Sequence, residues 1–177
     1  MERSLLLIIV LFIFPDNLFA QLGFGIGSLQ GLKGVNVYIS VNSEDPDRSE
    51  IYQNNALSNI ENKMRSAGIT VLSYEELHKL ETREQLLYPT LDINVMERES
   101  GDSRSGLHAY YVTVSIVQHA NLLRNRNLIT NSYGWKTWLR NGLGIVSEKR
   151  VESSIRETIN KFLDEFTKDY YVANPGD

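Results

Sequence analysis

The chain has 177 residues, of which 42% are apolar and 23% charged, with a net charge of −4 and no cysteine. That composition is ordinary for one globular domain, which can bury an adequate core without metals or disulfides. It excludes thiolate, disulfide and Cys–zinc chemistry outright, and the mild acidity does not favour nucleic acid or anionic membrane surfaces.

Residues 1–20 are expected to be a signal peptide. Arg3 gives a basic start, and Leu5 to Phe14 is an unbroken apolar run, long enough for a signal core and too short to span a bilayer. Pro15, Asp16 and Asn17 break the run, and Leu18-Phe19-Ala20 offers a cleavage site before Gln21. No cysteine is present to carry a lipid anchor, so no stable membrane insertion is expected after cleavage. Residues 21–31 read as a flexible Gly-rich leader. Its Gly-x-Gly spacing precedes the first strand, whereas a phosphate cradle follows one. A single α/β domain is expected over residues 32–175.

Val35, Val37, Ile39 and Val41 alternate with Asn36, Tyr38 and Ser40, predicting a strand with one buried face. Asp45-Pro46-Asp47 turns the chain. Ile51, Ala56, Ile60, Met64 and Ala67 then follow helical spacing, and Gly68 stops the helix. Ile69 to Leu72 is a short second strand, and the β-α-β crossover makes the first two strands parallel. Ser73-Tyr74-Glu75-Glu76 is a capping box opening a helix to about Gln85, which Pro89 ends.

Leu91, Ile93 and Val95 predict a third strand, and Leu107 to Gln118 a fourth with Tyr110, Val112, Val114 and Ile116 on one face. Leu128 to Leu139 is expected as a fifth strand. Both of its parities carry a tryptophan, and Tyr133, Trp135 and Leu139 are taken as inward. Asn141 to Gly144 reads as a turn. The closing helix, about Glu148 to Tyr171, carries Val151, Ile155, Ile159, Phe162, Phe166 and Tyr170 as its apolar stripe. The fold class is therefore α+β: a mixed five-stranded sheet, order β-α-β-α-β-β-β-α, with helices packed on one face.

Candidate chemistry is sparse. Placing Val95 opposite Tyr110 and Asp92 opposite Thr113 sets His119 roughly 20 Å from Asp92 along the strand, and a neighbouring register shifted by two still leaves about 13 Å. An acid–base pair needs about 3 Å. His78 with Glu75, Glu81 and Glu84 is a solvated helix face, since zinc needs three or four converging ligands. Arg124 and Arg126 sit in a polar connection. No nucleophile elbow or phosphate loop occurs. No catalytic, cofactor or metal residue is assigned, and no cofactor is expected.

The other sheet face is the informative surface. Tyr38, Asn94, Tyr111 and Thr113, with Trp138 joining them, give a polar-aromatic face of the kind seen at protein-binding surfaces. The partner expected for it is an envelope protein or a second copy. A small-ligand pocket near Trp135 or Trp138 is the alternative.

The segment from Val35 through Met64-Arg65-Ser66-Ala67-Gly68-Ile69 and the closing Phe162–Pro175 stretch resemble small exported bacterial proteins of unknown function. The layout of residues 32–175 also resembles the periplasmic α/β modules at the amino terminus of TolB and in CsgG-like proteins, which are similar to the anticodon-binding-domain fold. That resemblance implies protein–protein contacts and assembly in the envelope, and it implies no catalytic residues.

Overall fold

The computed structural model describes residues 25–44, 46–99, 106–118 and 135–176. A 3-10 turn (Ile26–Leu29) precedes β1 (Gly34–Asn42), α1 (Pro46–Ser66), β2 (Thr70–Leu72), α2 (Tyr74–Lys79) and α3 (Thr82–Gln85). Then come β3 (Thr90–Glu99), β4 (Leu107–Gln118), β5 (Trp135–Ser147) and α4 (Glu148–Ala173). The strands form one sheet in the order β2-β1-β3-β4-β5. β1 is parallel to β2 and β3, whereas β3, β4 and β5 form an antiparallel meander. The expected α+β mixed five-stranded sheet is the observed one.

Local chemistry explains the boundaries. Gly68 ends α1 with φ +83, a backbone conformation that disfavours a side chain. The Ser73 hydroxyl accepts from the Glu76 amide at 3.2 Å while the Glu76 carboxylate accepts from the Ser73 amide at 2.8 Å. These bonds hold the Glu76 carboxyl below its ordinary range. The single helix expected from this box divides at Leu80, whose backbone is extended at φ −78, ψ 153.

The two long helices cover one face of the sheet. α1 lies over β1 and β2, and α4 over β4 and β5. Val35, Val37, Ile39, Leu91, Ile93, Val95, Val112, Val114 and Ile116 meet the stripe Val151, Ile155, Ile159, Phe162, Phe166 and Tyr170. Lys63 joins the helices, bonding the Asn160 carbonyl at 3.2 Å and Asp164 at 2.7 Å.

Three expectations are corrected. First, the leader does not stay outside the domain beyond Ile26. Leu29 is fully buried, Asn174 Nδ2 donates to its carbonyl at 2.9 Å, and the Gly31 amide donates to Asn174 Oδ1 at 2.7 Å. Second, 141–144 is no turn but the middle of β5. Its glycines are there for packing. A Cβ on Gly144 would meet the Tyr110 ring at 2.5 Å, and one on Gly142 would lie 3.1 Å from Thr158 Cγ2 and 3.2 Å from Phe162 Cζ. Third, the hairpin register pairs Val95 with Val112 and Asp92 with Ser115, two residues from the expected one. His119, Tyr133, Arg124 and Arg126 lie outside the described residues.

Gly144→Ala is expected to destabilise the fold by about 1–3 kcal/mol, because an aromatic ring must move. Gly142→Ala is expected to cost less, since the strand gains a residue better than glycine and its contacts are looser. Urea unfolding of the two variants checks the order.

Candidate functional site

The sheet face away from α1 and α4 divides into a polar end and an apolar end. At the polar end, Tyr38, Thr90, Asp92, Asn94 and Lys136 line a cleft of about 900 Å³, with Leu77, Gln85 and Tyr88 among its walls. The wall exists because the β2–β3 connection, with α2 and α3, borders this side. Asn94 Nδ2 donates to Asp92 Oδ2 at 2.8 Å, and Lys136 Nζ lies 3.8 Å from the same oxygen. Chemically this is a fixed carboxylate with an amide and an ammonium beside it, suited to polar recognition.

At the apolar end, strand pairing builds a row. Met96 is opposite Tyr111, and Tyr111 is opposite Leu143 on the next strand. Ile145 is opposite Ala109 one step along. Met96, Tyr111, Leu107, Leu143 and Ile145 are all exposed, Leu143 by 75% and Ile145 by 66%.

Of the five residues expected on this face, Tyr38 is 55% exposed and Tyr111 is also exposed, while Asn94 is half-buried. Thr113 faces this side but is only 7% exposed, and its neighbour Ser115 is fully buried. Both are short side chains of an inner strand, set between Asn94 and Asn141 or Asp92 and Leu139. Trp138 is a correction. It is 1% exposed and lies on the helix side opposite Ile116, edge-on to Phe166 at 5.4 Å. Its indole Nε1 donates to Asp169 Oδ2 at 2.9 Å. A register shift at Ile116/Val117 resolves the two tryptophans: Trp135 pairs with Gln118 and Trp138 with Ile116, so both parities lead to one side. Trp135 and Leu139, expected inward, are exposed.

A buried pair escaped the sequence reading. His108 Nδ1 lies 3.0 Å from Glu97 Oε1, and Glu97 is buried. The signal was present: Glu97 continues the inward parity of Leu91, Ile93 and Val95, and His108 that of Tyr110 and Val112. Tyr52 packs against the core and lines one small cavity with Glu97, Val41, Val151 and Ile155. Burial pushes the Tyr52 phenol up, against the pull of Arg156 and with help from Glu152 and Glu97. Among the described residues no group of three or more His, Asp or Glu is placed to hold a metal ion. Among them, too, no helix is long and apolar enough to cross a membrane.

No family model and no curated protein matches the chain. Among solved structures it is similar to the PelC dodecamer of Paraburkholderia phytofirmans. A single-residue variant of PelC aligns at TM-score 0.41 and 18% identity, covering 73% of this chain and 83% of that one. A second crystal form aligns at TM-score 0.40 and 19% identity, covering 73% and 82%. A likeness of this size carries nothing about function.

The Tyr52 phenol binds its proton more tightly folded than unfolded. Its share of stability is therefore complete below the ordinary value of 10.0 and is lost as pH rises through and above it. Melting temperatures between about pH 8 and pH 11 are expected to fall less steeply for Tyr52→Phe than for the parent.

Proposed function

We propose that this protein is an exported, soluble, non-enzymatic domain that uses its exposed sheet face to contact another protein of the bacterial envelope, or a second copy of itself. The reading takes residues 1–20 as a signal peptide and the periplasm as the simplest destination. In the order of its elements the domain is similar to the TolB amino-terminal and CsgG-like modules of the periplasm.

The observation that carries it is the row Met96, Tyr111 and Leu143, which crosses three adjacent strands with its side chains exposed. Contiguous apolar surface of this kind marks interaction sites on soluble proteins, whereas scattered apolar residues do not. Tyr38 extends the surface with a large ring that carries a hydroxyl, a side chain enriched at protein contacts.

The double substitution Tyr38→Ser with Tyr111→Ser removes two exposed rings and no core contact. Pull-down from the native envelope, read by mass spectrometry, is expected to lose its specific partners while circular dichroism stays unchanged. Capture identical to the parent's would refute the surface.

A second reading is supported by the cleft, whose Asp92, Asn94 and Lys136 would suit a small polar ligand with both donor and acceptor groups. It lies at Lys136 rather than at either tryptophan. A thermal shift from a metabolite set, abolished by Asp92→Asn, is the expected sign. Silence across the set would remove this reading.

A further inference from the structure

β5 ends the sheet, and among the described residues no strand pairs with its outer edge. The opposite edge is β2, whose three residues offer little to pair with. β5 has thirteen. Part of that length is occupied: the Thr137 carbonyl accepts from Ser28 Oγ at 3.0 Å, and the Leu139 carbonyl from Arg140 Nη1 at 3.0 Å. Among the described residues the stretch from Asn141 to Ser147 is the open remainder. Natural edges are usually guarded by charge, proline or a bulge. Here the two basic residues of β5, Lys136 and Arg140, and its register shift at Ile116/Val117 all precede the open stretch.

The sequence of that stretch is self-complementary. Read as Asn-Gly-Leu-Gly-Ile-Val-Ser, it is centred on Gly144. An antiparallel pairing of two copies about Gly144 sets Leu143 opposite Ile145 twice and Asn141 opposite Ser147 twice. On the other face it sets Gly142 opposite Val146 and Gly144 opposite itself. Antiparallel partners share a face, so apolar meets apolar and polar meets polar at each position. The side chains so paired are the most exposed apolar ones of the strand, Leu143 and Ile145. On the helix side, glycines at 142 and 144 keep the seam clear of large groups.

We propose that a second copy of this chain adds to β5 in antiparallel register about Gly144, joining two five-stranded sheets across a two-fold axis. This rests on the reading of the sheet as a contact surface and names its occupant. A strand edge is matched by another strand through main-chain bonds, and specificity comes from alternate side chains.

The test uses the purified protein and two single variants, Leu143→Glu and Ile145→Lys. Sedimentation over roughly 1–100 µM is expected to give a dimer for the parent, and association weaker by about tenfold or more for each variant alone. Each variant sets a charge opposite an aliphatic group. Mixed in equal amounts, the two are expected to recover the dimer, because a carboxylate on one copy then faces an ammonium on the other while Leu143 and Ile145 still meet at the second site. Circular dichroism of both variants should match the parent, since these side chains are exposed. A parent that stays monomeric throughout overturns the inference and leaves the envelope-partner reading to its own pull-down. So does a dimer that survives either single substitution, or a mixture as monomeric as its components.

Discussion

The attachment of β5 to α4 governs what the rest of the molecule can present. Among the described residues β5 is bonded to a strand on one side only, and it is covered on one face only. What fixes it there is Trp138, whose ring is enclosed against Phe166 and whose indole donates to Asp169. The same carboxylate accepts from Arg140 Nη2 at 3.1 Å, and Arg140 Nε donates to Glu165 at 2.7 Å. A buried carboxylate with two donors is stable as a set. Removing Asp169 leaves the buried indole N–H of Trp138 without its acceptor, at a cost of roughly 1–3 kcal/mol. Burial of the large ring and satisfaction of the charge thus act on the same two elements. The far end of α4 repeats the device with Tyr170 and Asn174, which bind the carbonyls of Leu32 and Leu29 and draw the amino-terminal turn into the core.

Once α1 and α4 cover one side, the other side is left to the alternation of the strands. That side is not uniform. The β2–β3 connection borders its polar end and makes a cleft there, while the apolar end, nearest the edge of β5, is open among the described residues. Short side chains at Thr113 and Ser115 separate the two. The polar and apolar ends therefore support different chemistry: hydrogen bonding in a groove, and desolvation of a ridge. The protein-contact reading rests on the exposed rings of Tyr38 and Tyr111 and the ligand reading on the Asp92 carboxylate, so the two call for different substitutions.

Much of this was legible from periodicity. β4 runs from Leu107 to Gln118 as its alternation predicts, and the α4 stripe from Val151 to Tyr170 is the buried one. Gly68 and the Ser73 capping box fall where their chemistry requires. The failures share a cause, which is that tertiary packing reassigns residues whose local preference points elsewhere. Asn141 to Gly144 looks like a turn because glycine and asparagine favour turns. In the fold these glycines admit Tyr110 and Phe162. The tryptophans are ambiguous because a strand of fixed period cannot hold Trp135 and Trp138 on one side, and the register shift that permits it has no sequence signature. Glu97 follows an inward parity that its charge argues against, and His108 on the next strand, 3.0 Å from its carboxylate, helps to offset that burial. Of the expected face, Tyr38, Asn94 and Tyr111 were readable from alternation. Thr113 has the right side but too little exposure, and Trp138 the wrong side.

The glycines link the interior of the domain to its edge. Close approach of the Tyr110 ring leaves no room for a side chain at Gly144, and Phe162 and Thr158 make the space at Gly142 tight. Between Asn141 and Ile145 the strand consequently has its bulk on the outward face, at Leu143 and Ile145. A strand so built is thin on its helix side and apolar on its free side, and it stays in register because Trp138 and Arg140 fix its first half. Those same properties let a second strand approach closely without meeting large groups from α4. The packing demand of the core and the self-complementarity of the edge are thus met by one choice of residues. A side chain at Gly144 would disturb both, by displacing Tyr110 within the domain and by crowding the axis on which two copies would meet.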